Sequence, residues 1–267
     1  MKQTQTAIKI KNLFAGYNNT AIIENLNFEV LKGEVFVIIG GSGCGKSTLL
    51  KNMIGLLPPI SGKIIILGEN LSDASGQDRN RILQNIGVAF QSGALFGSMT
   101  VMENITLPLK EFTRLPGSVM EDIAWLKLKL VGLENSAFLM PGELSGGMKK
   151  RAALARAMAL DPSIIFLDEP SAGLDPITSA ELDHLVMDLA SSLGITFVIV
   201  THELASIEAI SDRIIMLEKT AKGIIATGTP EQLKNDHTNP YVHKFFNRTT
   251  DLKKTVDFNR TNDKGEQ

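Results

Sequence analysis

The chain is poor in cysteine, in long apolar runs and in surplus charge, and each shortage removes a class of protein. Its one cysteine, Cys44, can close no internal disulfide and build no cysteine-clustered metal site. No apolar stretch approaches the roughly 18 residues that a membrane-spanning helix needs. The opening Met1-Lys2-Gln3-Thr4-Gln5-Thr6 lacks the hydrophobic segment of a secretory signal, so the expected location is the cytoplasm. A formal net charge of −2 supplies no general basic field, and nucleic acid is not an expected partner. No internal repeat is present, which argues for one unit rather than a tandem pair. Against these absences, 267 residues with 43% hydrophobic content can bury a sizeable core.

Short apolar runs separated by turn signals recur at Ile8-Lys9-Ile10, Val35 to Ile39, Lys63 to Leu67, Ile86 to Phe90, Ile164 to Leu167 and Ile195 to Val200. Continuous rather than alternating apolarity suggests strands buried on both faces, as in a parallel sheet covered by helices, and places the chain in the α/β class. Between Ser92 and Leu160 longer helical stretches appear, including Met120 to Val131 and Met148 to Leu160. This predicts a helical subdomain at about 92–159, inserted into a core of about 5–91 and 160–240. The remaining 241–267 reads as a polar tail, most plainly from Asn247 onward, either frayed or held by a partner.

The run Val35 to Ile39 leads directly into Gly40, Gly41, Ser42, Gly43, Cys44, Gly45, Lys46 and Ser47, an unbroken G-x-x-x-x-G-K-[ST] loop. Thr48-Leu49-Leu50 can then open a helix, so the glycines sit at a strand-to-helix turn. There the backbone amides converge on a phosphate, the helix N-terminus favours an anion, Lys46 reaches the β/γ-phosphates and Ser47 can ligate Mg²⁺. Cys44 is either a small filler in this loop or a point of redox control.

Phosphoryl transfer also needs a metal and a positioned water. Ile164 to Leu167 runs into Asp168 and Glu169, which a buried strand would deliver to the carboxyl edge of the sheet, where ligands of open α/β folds bind. Asp168 suits the Mg²⁺ shell and Glu169 a general base, although such a pair also serves as plain helix capping. A second glycine-rich helix entry reads Leu144-Ser145-Gly146-Gly147-Met148. Ser145 resembles an N-cap, and its hydroxyl with the amides of Gly146 and Gly147 could equally take a γ-phosphate. Met148, Ala152, Ala155 and Ala159 form one apolar face, while Lys149, Lys150 and Arg151 lie toward the other as a solvated face or as a phosphate or lipid contact.

The phosphate loop, Phe90-Gln91, Leu144 to Met148 with Ala152 to Ala157, Asp168-Glu169-Pro170, Ser171 to Asp175, and Thr201-His202-Glu203 follow one another in the order of an ATP-binding cassette (ABC) ATPase. The resemblance covers about residues 5 to 240. It implies a P-loop core with a mostly parallel sheet, an antiparallel β subdomain and the inserted helical subdomain. It further implies that Tyr17 stacks on adenine, that Gln91 links metal and water to the helical subdomain, and that His202 contacts the γ-phosphate. Asp175 would communicate across a dimer, and Ser145, Gly146 and Gly147 would complete the ATP site of a second copy. Met148 departs from the usual signature, where glutamine is common; catalysis is expected to survive, since that side chain is not among the amide donors.

Phe90 to Phe96, Met99-Thr100-Val101, Glu103-Asn104-Ile105 and the signature helix with Met148 are similar to the ATPase of Mla-type phospholipid transporters. That likeness implies an ATP-hydrolysing motor docked on the cytoplasmic face of the inner membrane through a separate permease, with accessory soluble or lipid-binding subunits possible in principle. Permease contact is expected near Ala94 to Met102, where Ala94, Leu95, Phe96 and Met99 form either a docking surface or buried core. A single cassette leaves a cluster-assembly ATPase, or an importer ATPase for another substrate, as alternatives.

Overall fold

A computed structural model describes residues 5–248. Strands β1 (Thr6–Tyr17) and β2 (Thr20–Leu31) form a hairpin, followed by β3 (Val35–Gly40), α1 (Lys46–Met53), β4 (Ser61–Ile66), the two-residue β5 (Glu69–Asn70), α2 (Gly76–Leu83) and β6 (Ile86–Ala89). Helices α3 (Val101–Phe112), α4 (Gly117–Leu130) and α5 (Gly146–Ala157) come next. The chain then returns through β7 (Ile164–Asp168), α6 (Pro176–Leu193), β8 (Thr196–Val200), α7 (Leu204–Ile210), β9 (Arg213–Glu218), β10 (Gly223–Gly228), α8 (Pro230–Lys234) and α9 (Pro240–Asn247).

Two sheets result. The larger has the order β10-β9-β3-β8-β7-β6, parallel throughout except for β10 at its edge. The α/β expectation is met, and β3 shows why its run is continuously apolar. Val35, Val37 and Ile39 enter one core cluster with the helices, whereas Phe36 and Ile38 enter the other with the β-rich layer. Full burial of such side chains stabilises by about 1.5–3 kcal/mol each.

The smaller sheet is antiparallel, in the order β2-β1-β4-β5. It takes in the runs at Ile8 to Ile10 and Lys63 to Leu67, which corrects the expectation that these strands have parallel neighbours. Ile8 and Ile10 are buried while Lys9 between them is half-buried, the alternation of a sheet with one core face. Strand β2 escapes a search for apolar runs because Glu24, Asn25 and Asn27 interrupt it; β9 carries the unbroken run Ile214 to Leu217, a signal the same search can find.

The region from residue 92 to 159 contains no strand and builds α3, α4 and α5, whose buried faces join the core cluster on the helical side of the large sheet. At the other end, the packed chain continues past residue 240. Helix α9 buries Val242 and Phe246 in the same cluster. The rest of the expected polar tail, 249–267, lies outside the described residues.

Candidate functional site

Four neighbouring parallel strands, β3, β8, β7 and β6, end at one edge of the sheet, and each carries a predicted site residue just beyond or at its end. The phosphate loop follows β3, His202 lies two residues past β8, Asp168 closes β7 with Glu169 next to it, and Gln91 lies two residues past β6. Register fixes the alignment: Val200 pairs with both Ile38 and Asp168, and Leu167 pairs with Ala89. The sequence order thus becomes a spatial cluster at the position where ligands of open α/β sheets bind.

Within the loop Gly43 and Gly45 take positive φ values of 74° and 105°, the left-handed region that glycine enters at little cost. Lys46 Nζ donates to the carbonyls of Gly40 (2.7 Å) and Gly41 (3.2 Å), holding its ammonium across the loop mouth. Gly41 and Lys46 are half-buried, Ser42, Gly43 and Ser47 are exposed, and Cys44, Gly45 and Thr48 are buried. A buried Cys44 packed in the β-side core favours the filler reading of that residue over redox control. Tyr17 ends β1, paired with Thr20 and 43% exposed, so a ring face remains open to stack on a planar ligand.

Glu169 adopts φ 48°, a left-handed conformation uncommon outside glycine. Its amide donates to the Val200 carbonyl at 2.8 Å, tying the strand end to the loop after β8. Its Oε1 lies 2.8 Å from His202 Nδ1, and the imidazole is mostly exposed while the carboxylate is largely covered. Local strain of this kind costs about 1–3 kcal/mol and persists where its surroundings impose it. Beside it, burial raises the Asp168 carboxyl above its ordinary range and the Glu169 charge adds to the effect, against the opposing pull of Lys150, Lys46 and Lys51.

The basic triplet has a different outcome from a solvated face. Lys150 Nζ donates to the carbonyls of Gln91 (2.6 Å) and Glu169 (3.1 Å), clamping the ends of β6 and β7 to helix α5. Burial lowers its pKa, with Glu169 and Asp168 acting in the other direction. Arg151 pairs with Glu181 at 2.7 Å. Further along the helix, Arg156 donates to the carbonyls of Ala94 (2.7 Å) and Gly93 (3.0 Å). Charge-to-carbonyl bonds of this type could have been suspected only from knowing that α5 lies beside the loop after Gln91.

Ser145 caps α5, its Oγ accepting from the Met148 amide at 3.2 Å. Ser145 and Gly146 are exposed, whereas Gly147 is buried and a Cβ there would fall 2.5 Å from Thr178 Cγ2. Asp175 caps α6, accepting from the amides of Ile177 and Thr178 and from the Thr178 hydroxyl, which together lower its pKa. Helix α5 packs on α3, α4, α6 and β6, and α1 on β1, β3 and β8.

The sequence profile of the ABC transporter family matches residues 23–172. The probable ribonucleotide transport ATP-binding protein mkl of Mycobacterium leprae is 42% identical over 241 residues, 90% of this chain and 69% of that protein. The intermembrane phospholipid transport system ATP-binding protein MlaF of Haemophilus influenzae is 41% identical over 229 residues, 86% of each chain. Among solved structures, the dimeric post-hydrolysis state of the ATP-binding cassette MJ0796 with ADP and Pi superposes with a TM-score of 0.75 at 32% identity, covering 83% of this chain and 98% of that one. With the phosphate loop, the acidic strand end and the capped signature helix gathered on one such fold, the chain belongs to the ABC transporter family, as its ATP-binding, ATP-hydrolysing motor subunit.

Proposed function

We propose that this chain powers the movement of phospholipid, or of a related hydrophobic substrate, through a separate integral-membrane permease. Two copies enclose two ATP molecules, each site formed by the phosphate loop of one copy and Ser145, Gly146 and Gly147 of the other. The observation that carries the reading is the Lys150 bridge between the Gln91 and Glu169 carbonyls, because it ties the hydrolytic edge to the helical subdomain on which a permease would act. Lys46 neutralises phosphate charge, Glu169 takes the proton of the attacking water, and His202, held by Glu169, contacts the γ-phosphate. Tyr17 supports the adenine, and Asp175 senses the opposing copy.

Ser47, Gln91 and Asp168 offer oxygen donors suited to Mg²⁺, a hard cation that keeps several waters and takes the rest of its shell from phosphates. Among the described residues no group of three or more His, Cys, Asp or Glu could hold a metal, which fits an ion held largely through the nucleotide. When bound, Mg²⁺ would offset the charge that develops on the transferring phosphoryl group.

A groove of about 230 Å³ lined by Leu83, Val88, Pro108, Phe112, Arg156 and Leu160 supports permease docking. Phe96, half exposed, lies under the guanidinium of Arg156, which also lines the groove. Buried Asn104 binds the Phe96 amide and carbonyl together with the carbonyls of Met99 and Thr100, fixing Phe96 outward while Leu95 packs inward. No helix among the described residues is long and apolar enough to cross a membrane, and the reading assigns the permease to a second chain. The MlaF relatives support a phospholipid substrate, and the similarly close mkl supports the second reading, an importer motor for another cargo.

The test is purification from detergent-solubilised membranes and reconstitution into phospholipid vesicles. We expect a co-purifying permease and ATP-dependent phospholipid transfer, with Phe96→Asp losing the permease yet still binding ATP. Recovery of the chain alone from the cytosolic fraction would favour a cluster-assembly role instead.

A further inference from the structure

Helix α9 brings Tyr241 against the phosphate loop. A Cβ at position 41 would stand 2.6 Å from Tyr241 Oη and 3.9 Å from Cζ, so the hydroxyl fills the space a side chain at Gly41 would need. Gly41 is not among the positive-φ glycines, and its backbone alone would therefore accept alanine. The tyrosine hydroxyl is what a methyl added there would have to displace. The neighbouring Gly40 is confined more strictly, since its φ is 149° and its Cβ would fall 2.4 Å from the backbone carbonyl oxygen of Leu217 in β9. The outer wall of the loop entry thus comes from the two elements β9 and α9, late in the chain.

Tyr241 is held firmly for a residue 42% exposed. Asn239 caps α9, its Oδ1 accepting from the amides of Tyr241 (3.0 Å) and Val242 (3.4 Å), and Pro240 fixes the first helical position. Val242 and Phe246 anchor the helix in the core, and Asn247 Nδ2 donates to the Lys234 carbonyl at 3.2 Å. On its other side the Gly41 carbonyl accepts from Lys46 Nζ. With two donors on the loop carbonyls, the ammonium keeps a third N–H for a phosphate oxygen. The Gly41 residue is thus held by Lys46 at its carbonyl and backed by Tyr241 at its Cα.

We infer that Tyr241 is a positioning residue for ATP binding, and that the seating of α9 and the occupancy of the phosphate loop are thermodynamically coupled. The inference rests on ATP occupying that loop. By reciprocity, ATP bound to the loop stabilises α9 by the same factor that a seated α9 adds to ATP affinity.

The test measures ATP affinity by calorimetry and steady-state turnover in the full chain. Tyr241→Ala should raise the ATP dissociation constant and KM about fivefold, the low end of coupled-site effects, with kcat at saturating ATP within about twofold. Tyr241→Phe, which keeps the ring, should restore most of that loss. Gly41→Ala should weaken ATP binding about fivefold in the wild-type background. Combined with Tyr241→Phe it should cost far less, because the hydroxyl is gone and the added methyl meets ring carbon at ordinary contact distance. Amide hydrogen exchange across residues 240–247 should slow when ATP is added to the wild type. An equal penalty for Gly41→Ala in both backgrounds, or wild-type affinity in Tyr241→Ala, would overturn the inference; should Gly41→Ala fail to fold, the Tyr241→Ala result decides. Failure of the wild type itself to bind ATP would instead sink the assignment of the loop.

Discussion

Glu169 combines three requirements in one residue: a strand end aimed at the ligand edge, a left-handed backbone held by the Val200 carbonyl, and a carboxylate bonded to His202. If it acts as the general base, Glu169→Gln should lower kcat by about 10²–10⁴ while ATP binding persists, as judged by turnover assays beside equilibrium nucleotide binding. Native turnover in the variant would assign the proton transfer elsewhere. The identity of this residue was legible in the sequence because a buried apolar run ending in two carboxylates has few other uses beside a phosphate loop. Its conformation was not, since it depends on the neighbouring strand. Lys150 is hard to read for a related reason: a helix-surface lysine looks solvated until the fold brings two carbonyls beneath it.

At the scale of elements, α6 presents Asp175 at its start and a buried carboxyl, Asp183, further along. Burial raises the Asp183 pKa and Glu203 adds to that, while Ser206 and His184 oppose it. A folded chain that holds this proton more tightly than the unfolded chain is favoured below the unfolded carboxylate range near about pH 3.9, and that advantage fades as pH rises through the higher folded pKa. Asp183→Asn, which mimics the neutral acid, should therefore narrow the stability difference between acid and alkaline conditions. Thermal midpoints at about pH 4 and about pH 8 measure it, with the variant gaining on the wild type at the higher pH. An equal loss at both would show that the side chain's shape, not its charge, matters. Strands buried on both faces, such as β3 and β7, were readable from apolarity alone. Strand β2 was not, because its outer face meets water and its polar residues mask the pattern.

For the whole molecule, α1 packs on β3 and β8 in the middle of the large sheet, whereas α5 packs on its edge strand β6 and on α3 and α4. On the two-copy reading proposed above, each helix start supplies half of an ATP site and a second copy brings the halves together. Ser145 and Gly146 stay exposed although their helix is otherwise well packed, as that reading requires. The same reading would join hydrolysis to movement, since closing the pair would draw the helical subdomain and its groove along with the nucleotide edge. Spacing within the chain does not carry this reading, which entered only through the family resemblance, because the partner of each motif would lie on another molecule.

Complementation between two inactive variants tests the shared site most directly. Lys46→Ala disables the phosphate-loop half and Ser145→Arg the signature half, and each alone should be nearly inactive. Mixed in equal amounts, half of the dimers are heterodimers with one intact composite site, so ATP turnover should return to about a quarter of the wild-type rate if sites work independently. A mixture as inactive as its components would contradict a site built from two copies.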